Sequence, residues 1–279
     1  MIPSFESDAK DQVRRHWEEE TCGTRYGDSE DIRIRYSEIR SERHRLEPYI
    51  LPFQNAPAGA GKRVLEIGVG AGSDFLRWVE AGAQATGIDL TQAAIRITRE
   101  HLAAEGFAAD DADLRVADAE AMPFDDATFD IIYSYGVLHH TPDTAQALRE
   151  VRRVLRPDGV ARLMLYHRPS WTGWMLWAVQ YALRGRPFVS PRRAIFEKLE
   201  SPGTRSYTVD EARRALQQAG FARVRIRTLL GPGDLLLIRP SSRYRSRLYT
   251  LLWKLYPRRL ILLLGNRFGI IMLAEAAPV

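Results

Sequence analysis

From Arg63 onward, short apolar runs alternate with longer stretches in which apolar residues recur at helical spacing. That rhythm is the signature of a mainly parallel sheet covered by helices. Strands are expected at 64–67, 85–89, 114–117, 130–134 and 160–166, with helices near 73–81, 91–105 and 143–155. The punctuation agrees: Gly82 and Gly106 follow helices as C-terminal caps do, and "RPDG" at 156–159 reads as a turn after a helix with a basic end. Thr208 and Glu211 have capping-box spacing for a helix reaching about Ala219, and strands at 223–228 and 269–275 complete the pattern. Ahead of it, residues 8–53 mix charge with helical spacing and read as one or two helices, followed by the small-residue linker NAPAGAGK.

Two stretches break the rhythm. The expected organisation is a helical cap over 1–55 and a main domain over 56–279, with insertions at about 168–204 and 231–268. Together the insertions hold four of the six tryptophans, and Trp171, Trp174 and Trp177 recur at three-residue spacing on one broad helical face. In the second insertion, 100° steps bring Arg243, Arg247, Thr250 and Lys254 within about 60° of one another, beside a face of Tyr244, Leu248, Leu251, Leu252 and Leu255. That is an amphipathic helix with a cationic side, although Arg245 falls on the wrong side.

Charge sharpens this picture. The chain has 40 basic and 35 acidic residues, yet Leu235 to Ala274 holds eight basic residues and no acidic one, so the remainder is slightly acidic. The basicity is local, which argues against a general nucleic-acid-binding character. The leucine-rich run RLYTLLWKLYPRRLILLLGNRF is cut by Lys254, Pro257, Arg258 and Arg259, and falls short of the roughly 18 apolar residues of a membrane span. The opening MIPSFESDAKDQVRRHWEEE has no apolar core behind a basic start, so no secretory signal is expected. A single cysteine, Cys22, allows no internal disulfide and fits a reducing compartment; a cytoplasmic location is expected.

The first strand runs into VLEIGVGAGSD, which places Gly68, Gly70 and Gly72 in a strand-to-helix turn where the backbone can approach a ligand. A dinucleotide fingerprint would need glycine where Ser73 stands. Glu66 and Asp74 also flank the turn, which disfavours a pyrophosphate and suits a cationic ligand. Asp89 ends the second strand, where a carboxylate accepts both hydroxyls of an adenosine ribose; Asp118, at the next crevice position, can accept from an adenine amino group. Each of these acids taken alone also suits a helix cap.

Glu66, the three glycines, Asp89, Asp118 and FDIIYSYGVLHHTPD at 129–143 occur in an order and spacing that resembles the class I S-adenosylmethionine-dependent methyltransferases. The resemblance is to the small-molecule type that includes ubiquinone and menaquinone C-methylases, the methyltransferase type 11 domains. It covers about 62–166, including LREVRRVLRPDGVARLMLY. It implies an α/β, Rossmann-like seven-stranded sheet with the last strand antiparallel, helices on both faces, an N-terminal helical lid and the two insertions. It further implies S-adenosylmethionine as cofactor, leaving as S-adenosylhomocysteine. Glu66, Gly68, Gly70 and Gly72 would line it, Asp89 and Leu90 take the ribose side, Asp118 and Ala119 the adenine, and Ser134 pass near the methyl group.

A proton-bearing acceptor needs a base, and tandem His139 and His140 follow the fourth strand where acceptors enter; His139 is the first choice, with Tyr166 in second rank. Tyr26 and Tyr36 are expected either to close over the cofactor or to pack on a helix face. No metal is expected, because no cysteine or carboxylate stands at zinc-like spacing from the histidines. The expected acceptor is a hydrophobic small molecule such as a lipid, quinone or polyketide, consistent with secondary metabolism. Residues 235–268 are expected to meet that acceptor, a second subunit or an anionic membrane surface. The competing readings are a nucleic-acid methyltransferase using the basic segment and a nicotinamide-dependent oxidoreductase; the first lacks the nucleic-acid motifs, and Ser73 with Asp74 disfavours the second.

Overall fold

The computed structural model describes residues 5–19, 21–201, 203–237 and 254–278. Seven strands form one sheet: β1 Arg63–Ile67, β2 Gln84–Asp89, β3 Asp113–Val116, β4 Phe129–Tyr135, β5 Leu155–Tyr166, β6 Arg223–Leu229 and β7 Ile271–Ala277. Their order is β3-β2-β1-β4-β5-β7-β6, and β7 runs antiparallel to both of its neighbours. Strand order reverses at β1/β4, and the crevice beyond the carboxyl ends of these strands is where an open α/β sheet binds its ligands.

Pleating sends alternate residues of β1 to opposite faces, so both faces need cover. Val64 packs among Phe75, Trp78 and Ile131 on one side, and Leu65 among Ile132, Leu148, Val151 and Leu163 on the other. The first side is closed by α4 Phe75–Glu80 and α5 Gln92–Ala104, the second by α6 Thr144–Val154 and α9 Val209–Gln218. Thr208 caps α9 through the expected reciprocal pair, Thr208 Oγ1 accepting from Glu211 N at 3.2 Å and Glu211 Oε2 accepting from Thr208 N at 2.8 Å.

The tetrapeptide RPDG departs from expectation. It is drawn into β5 beside a register shift between Phe129 and Ile131. Gly159 permits this, because a Cβ there would lie 2.8 Å from the Asp130 carbonyl oxygen. Residues 8–53 yield three helices, α1 Phe5–Glu19, α2 Ile32–Leu46 and α3 Ile50–Gln54. Among the described residues, no helix is long and apolar enough to cross a membrane.

The first insertion contains α7 Trp171–Gln180 and α8 Pro191–Lys198, and the second contains α10 Arg258–Leu263. The amphipathic helix expected at 243–255 lies outside the described residues except for its last two positions. The insertions meet at Asp234, which is fully buried. Its Oδ1 accepts from Thr172 N and Oγ1 at 2.9 and 2.8 Å, and its Oδ2 from Gly231 N and Ile270 N at 2.9 and 2.7 Å. Trp171 and Trp174 add ring contacts to Phe268 at 6.0 and 5.1 Å.

Candidate active site

The glycine turn after β1 opens a cavity that runs past the ends of β2 and β4 to His140, with Lys10, Val13 and Trp17 of α1 along one wall. Gly68, Gly70 and Gly72 all have positive φ, at 80°, 52° and 79°. At Gly68 the need is absolute: a Cβ would lie 2.1 Å from Val137 Cγ2. Gly68, Gly70, Glu66, Asp89, Leu90, Asp118, Ala119 and His140 line the cavity, whereas Gly72, Ser134, His139 and Tyr166 are not among its lining residues. Ser134 is buried and donates to the Ile67 carbonyl at 3.2 Å, and Gly72 is pressed against Thr98.

Asp89 is held by Thr91 N at 3.0 Å, Thr91 Oγ1 at 2.8 Å and Gly70 N at 3.3 Å. Burial still pushes its carboxyl above the usual range, which a ligand's hydroxyl donors would offset. Ser73 Oγ is buried, and Ser73 lines the cavity wall; among the described residues the hydroxyl has no hydrogen-bond partner. A buried polar atom left open in this way fits a group reserved for a ligand. Asp118 Oδ1 accepts from Glu120 N, while Oδ2 is met at 2.5 Å by Lys10 Nζ, which also reaches Glu120 at 2.6 Å. At the other end of α1, Glu18 accepts from Gln92 N and Ala93 N at 3.1 Å each. Thus α1 is fastened across the cleft at both ends.

The two acids flanking the glycine turn are not the open negative charges that the sequence suggested. Asp74 is clasped by Arg43 of α2, through Nε at 2.9 Å and Nη2 at 2.5 Å, with Tyr133 Oη at 3.1 Å. Burial alone would raise its carboxyl, but Arg43 together with His44 holds it far below the usual range. Glu66 accepts from Trp78 Nε1 at 3.0 Å, and burial beside Asp74 drives it well up, toward the neutral acid. Arg43 therefore neutralises this corner from within and is itself a cavity-lining residue. Its signal was available: with Ile39 and Leu46 it forms a 4-then-3 spacing that puts an arginine on the buried face of a helix.

The histidines divide sharply. His139 has no exposed surface, and its ring lies 4.1 Å from that of Tyr166. Burial, then the neighbouring His140, pushes it well below the ordinary histidine range. His140 reaches the cavity, with Nδ1 2.8 Å from Ser201 Oγ and 3.1 Å from Thr204 Oγ1. Thr204 Oγ1 also stands 2.7 Å from two carbonyl oxygens, those of Leu199 and Ser201. Its single proton is committed there, so it presents a lone pair to Nδ1, and this network assigns the ring hydrogen of neutral His140 to Nδ1. Nε2 is buried and lies 3.2 Å from Glu200 Oε2. Burial and the same Glu200 carboxylate raise the Tyr166 phenol well above its ordinary value.

Glu200 also alters the case made from spacing against a metal. Sixty residues from His140 in sequence, it comes close enough that one atom from each of His139, His140 and Glu200 lies within 4.8 Å of the others. Tyr36, expected either to close over the cofactor or to pack, packs: it stacks on His101 at 4.3 Å and 7° and donates to the Ile97 carbonyl. The tryptophans of α7 do not line the cavity.

This sheet order, the glycine turn and the acids at successive strand ends are the arrangement implied by the resemblance to class I S-adenosylmethionine-dependent methyltransferases. Residues 65–163 match the family model described as a methyltransferase domain, Methyltransf_11. The ubiquinone biosynthesis O-methyltransferase of Pseudomonas aeruginosa is 33% identical over 127 residues, 45% of this chain and 53% of that protein. The phthiotriol/phenolphthiotriol dimycocerosates methyltransferase of Mycobacterium tuberculosis is 39% identical over 101 residues, 36% of each chain. The chain thus spans about half the length, or less, of these curated relatives. In fold it resembles phosphoethanolamine N-methyltransferase 2 of Haemonchus contortus, solved with S-adenosylhomocysteine, with a TM-score of 0.59, 16% identity and coverage of 96% of this chain and 60% of that one.

Proposed function

We propose that the protein methylates a hydrophobic small molecule at a proton-bearing atom, with His140 as the base. The observation that carries this reading is the cavity itself, which joins the glycine turn and Asp89 to His140. Bound there, S-adenosylmethionine supplies an electrophilic methyl group and leaves as S-adenosylhomocysteine. Asp89 would hold the ribose hydroxyls, Asp118 with the Ala119 backbone the adenine, Ser73 a polar atom of the amino-acid part, and Arg43 its carboxylate. Their joint work is alignment for in-line displacement, and Trp17 and Val137 supply apolar walls that exclude water.

As the acceptor oxygen is methylated, its proton would pass to the His140 imidazole. Ser201 and Thr204 fix the ring and its tautomer, and the Glu200 carboxylate stabilises the imidazolium that results. The fully buried His139 supports the ring from behind. The relatives' names, a ubiquinone precursor and a mycobacterial lipid among their substrates, support an apolar acceptor.

The experiment pairs calorimetry of S-adenosylhomocysteine with turnover on hydroxylated quinones and phenols, followed by S-adenosylhomocysteine release. His140→Ala should lower kcat by about 10²- to 10⁴-fold while leaving S-adenosylhomocysteine affinity nearly unchanged. Full turnover by that variant, or no cofactor binding by the wild type, would sink the proposal.

A further inference from the structure

The two insertions share a composition that the catalytic site does not use. Residues 168–204 contain six basic residues and two acidic ones, Glu197 and Glu200, and residues 235–274 contain eight basic and no acidic residue. The rest of the chain holds 26 basic and 33 acidic residues. A net-acidic enzyme body therefore carries two cationic additions, separated in sequence and joined in space by Asp234 and by the Trp171, Trp174 and Phe268 rings.

The same additions expose apolar side chains. In and just after α10, only Ile261 of five consecutive aliphatic residues turns inward; Leu260, Leu262, Leu263 and Leu264 face outward, with Leu263 83% exposed. In the first insertion Leu183 is 82% exposed and Phe188 fully so, within the tract LRGRPF, where Arg184 and Arg186 alternate with them. A face meant for water would carry acids among its bases; a face meant for a protein core would not carry arginine at this density. Large apolar side chains interleaved with cations, which outnumber the anions fourteen to two over the two segments, match an interface between headgroup phosphates and acyl chains.

We infer that the two insertions form a docking surface for an anionic phospholipid bilayer. Leu263, Leu260, Leu183 and Phe188 enter the boundary of the acyl region, and the neighbouring arginines meet the phosphates. Arg168, Arg193 and Arg258 are not among these: Arg168 pairs with Glu211, Arg193 pairs with Glu197, and Arg258 donates through Nε and Nη2 to the Leu235 and Leu236 carbonyls. The first insertion also delivers Glu200, Ser201 and Thr204 to His140, so the docked face and the acceptor end of the cavity belong to one segment. An acceptor dissolved in the membrane would then meet the site without crossing water.

The test is flotation of the full-length protein with phosphatidylcholine vesicles and with vesicles that also contain phosphatidylglycerol. It needs no methyl-transfer assay, so its failure and the failure of the proposed activity are distinguishable. The wild type should float with the anionic vesicles only, and lose binding as salt rises. Leu260→Ser with Leu263→Ser, and separately Leu183→Ser with Phe188→Ser, should each weaken partitioning roughly tenfold or more, since each pair removes two large apolar groups from the boundary. S-adenosylhomocysteine affinity and melting temperature should stay unchanged in both. Absence of the wild type from the floated fraction overturns the inference, as does undiminished binding by both double variants. A concentration-dependent dimer that the leucine substitutions dissolve, without vesicle binding, overturns it in favour of a second copy of the chain.

Discussion

Replacing Arg43 by methionine tests how the corner beneath the glycine turn is held. The Asp74 side chain is 4% exposed and that of Arg43 19%. The pair is joined by two charge-assisted hydrogen bonds, at 2.9 and 2.5 Å. Methionine keeps much of the stem volume but leaves Asp74 ionised in a buried site beside Glu66. Removing one partner of such a pair costs about 3–5 kcal/mol. Discounting for the partial exposure of Arg43 and for the Tyr133 hydroxyl that remains on Asp74, about 3 kcal/mol is expected at neutral pH. Urea denaturation followed by circular dichroism reads this directly.

The pH dependence gives a second, independent check. In the wild type the Asp74 carboxyl is depressed, so its contribution is present above the unfolded carboxylate range and is lost only as pH falls through the lower folded value. In Arg43→Met burial is opposed only by His44 and the Tyr133 hydroxyl, and the folded value rises. Stability then falls as pH climbs from the unfolded range toward the raised folded one. The wild-type advantage should therefore shrink between pH 7 and pH 5, and Arg43→Met with Asp74→Asn should recover most of the loss. A single-variant cost below about 1 kcal/mol, or an equal cost at both pH values, would refute the account, because a merely surface pair behaves that way.

Asp89→Ala should weaken S-adenosylhomocysteine binding by about 1.5–3 kcal/mol in calorimetry, the range for hydrogen bonds to a charged group; unchanged affinity would contradict the ribose assignment. Lys10→Met removes the cation that holds Asp118 and Glu120. It should speed dissociation of S-adenosylhomocysteine in stopped-flow measurements, and identical rates would show that α1 is not fastened by that contact. Dialysis against EDTA should leave turnover unchanged if His140 acts without an ion. Loss of activity restored by a divalent cation would instead assign His139, His140 and Glu200 to a metal.

What could be read in the sequence was what is local. The β1 turn, Asp89 after β2 and Asp118 after β3 sit in short segments whose apolar runs and glycines repeat within a few residues, so pattern alone put them at one crevice. The partners of these groups are distant. Lys10 is 108 residues from Asp118, Arg43 is 31 from Asp74, and Ser201 is 61 from His140. No periodicity encodes such pairings. Two nevertheless left a trace: Arg43 on the buried face of α2, and Lys10 in line with Val13 and Trp17 on α1. The choice between His139 and His140 had no local signal, because adjacent residues differ only in the direction each side chain takes out of the short Leu138–His140 turn.

Asp234 sets a rule for altering this protein's acceptor range. Exchanging insertions between relatives is an obvious way to build chimaeras with new specificity, and here the two segments look separable on paper. They are not separable in practice, because one carboxylate serves both segments and Ile270, the residue just before β7, at once. A donor segment for 168–204 without a hydroxyl at position 172 would leave Asp234 with three of its four hydrogen bonds in a fully enclosed position, and one with proline there would leave it with two. Grafts should therefore carry the threonine and the aspartate together, or replace both by groups that need no partner.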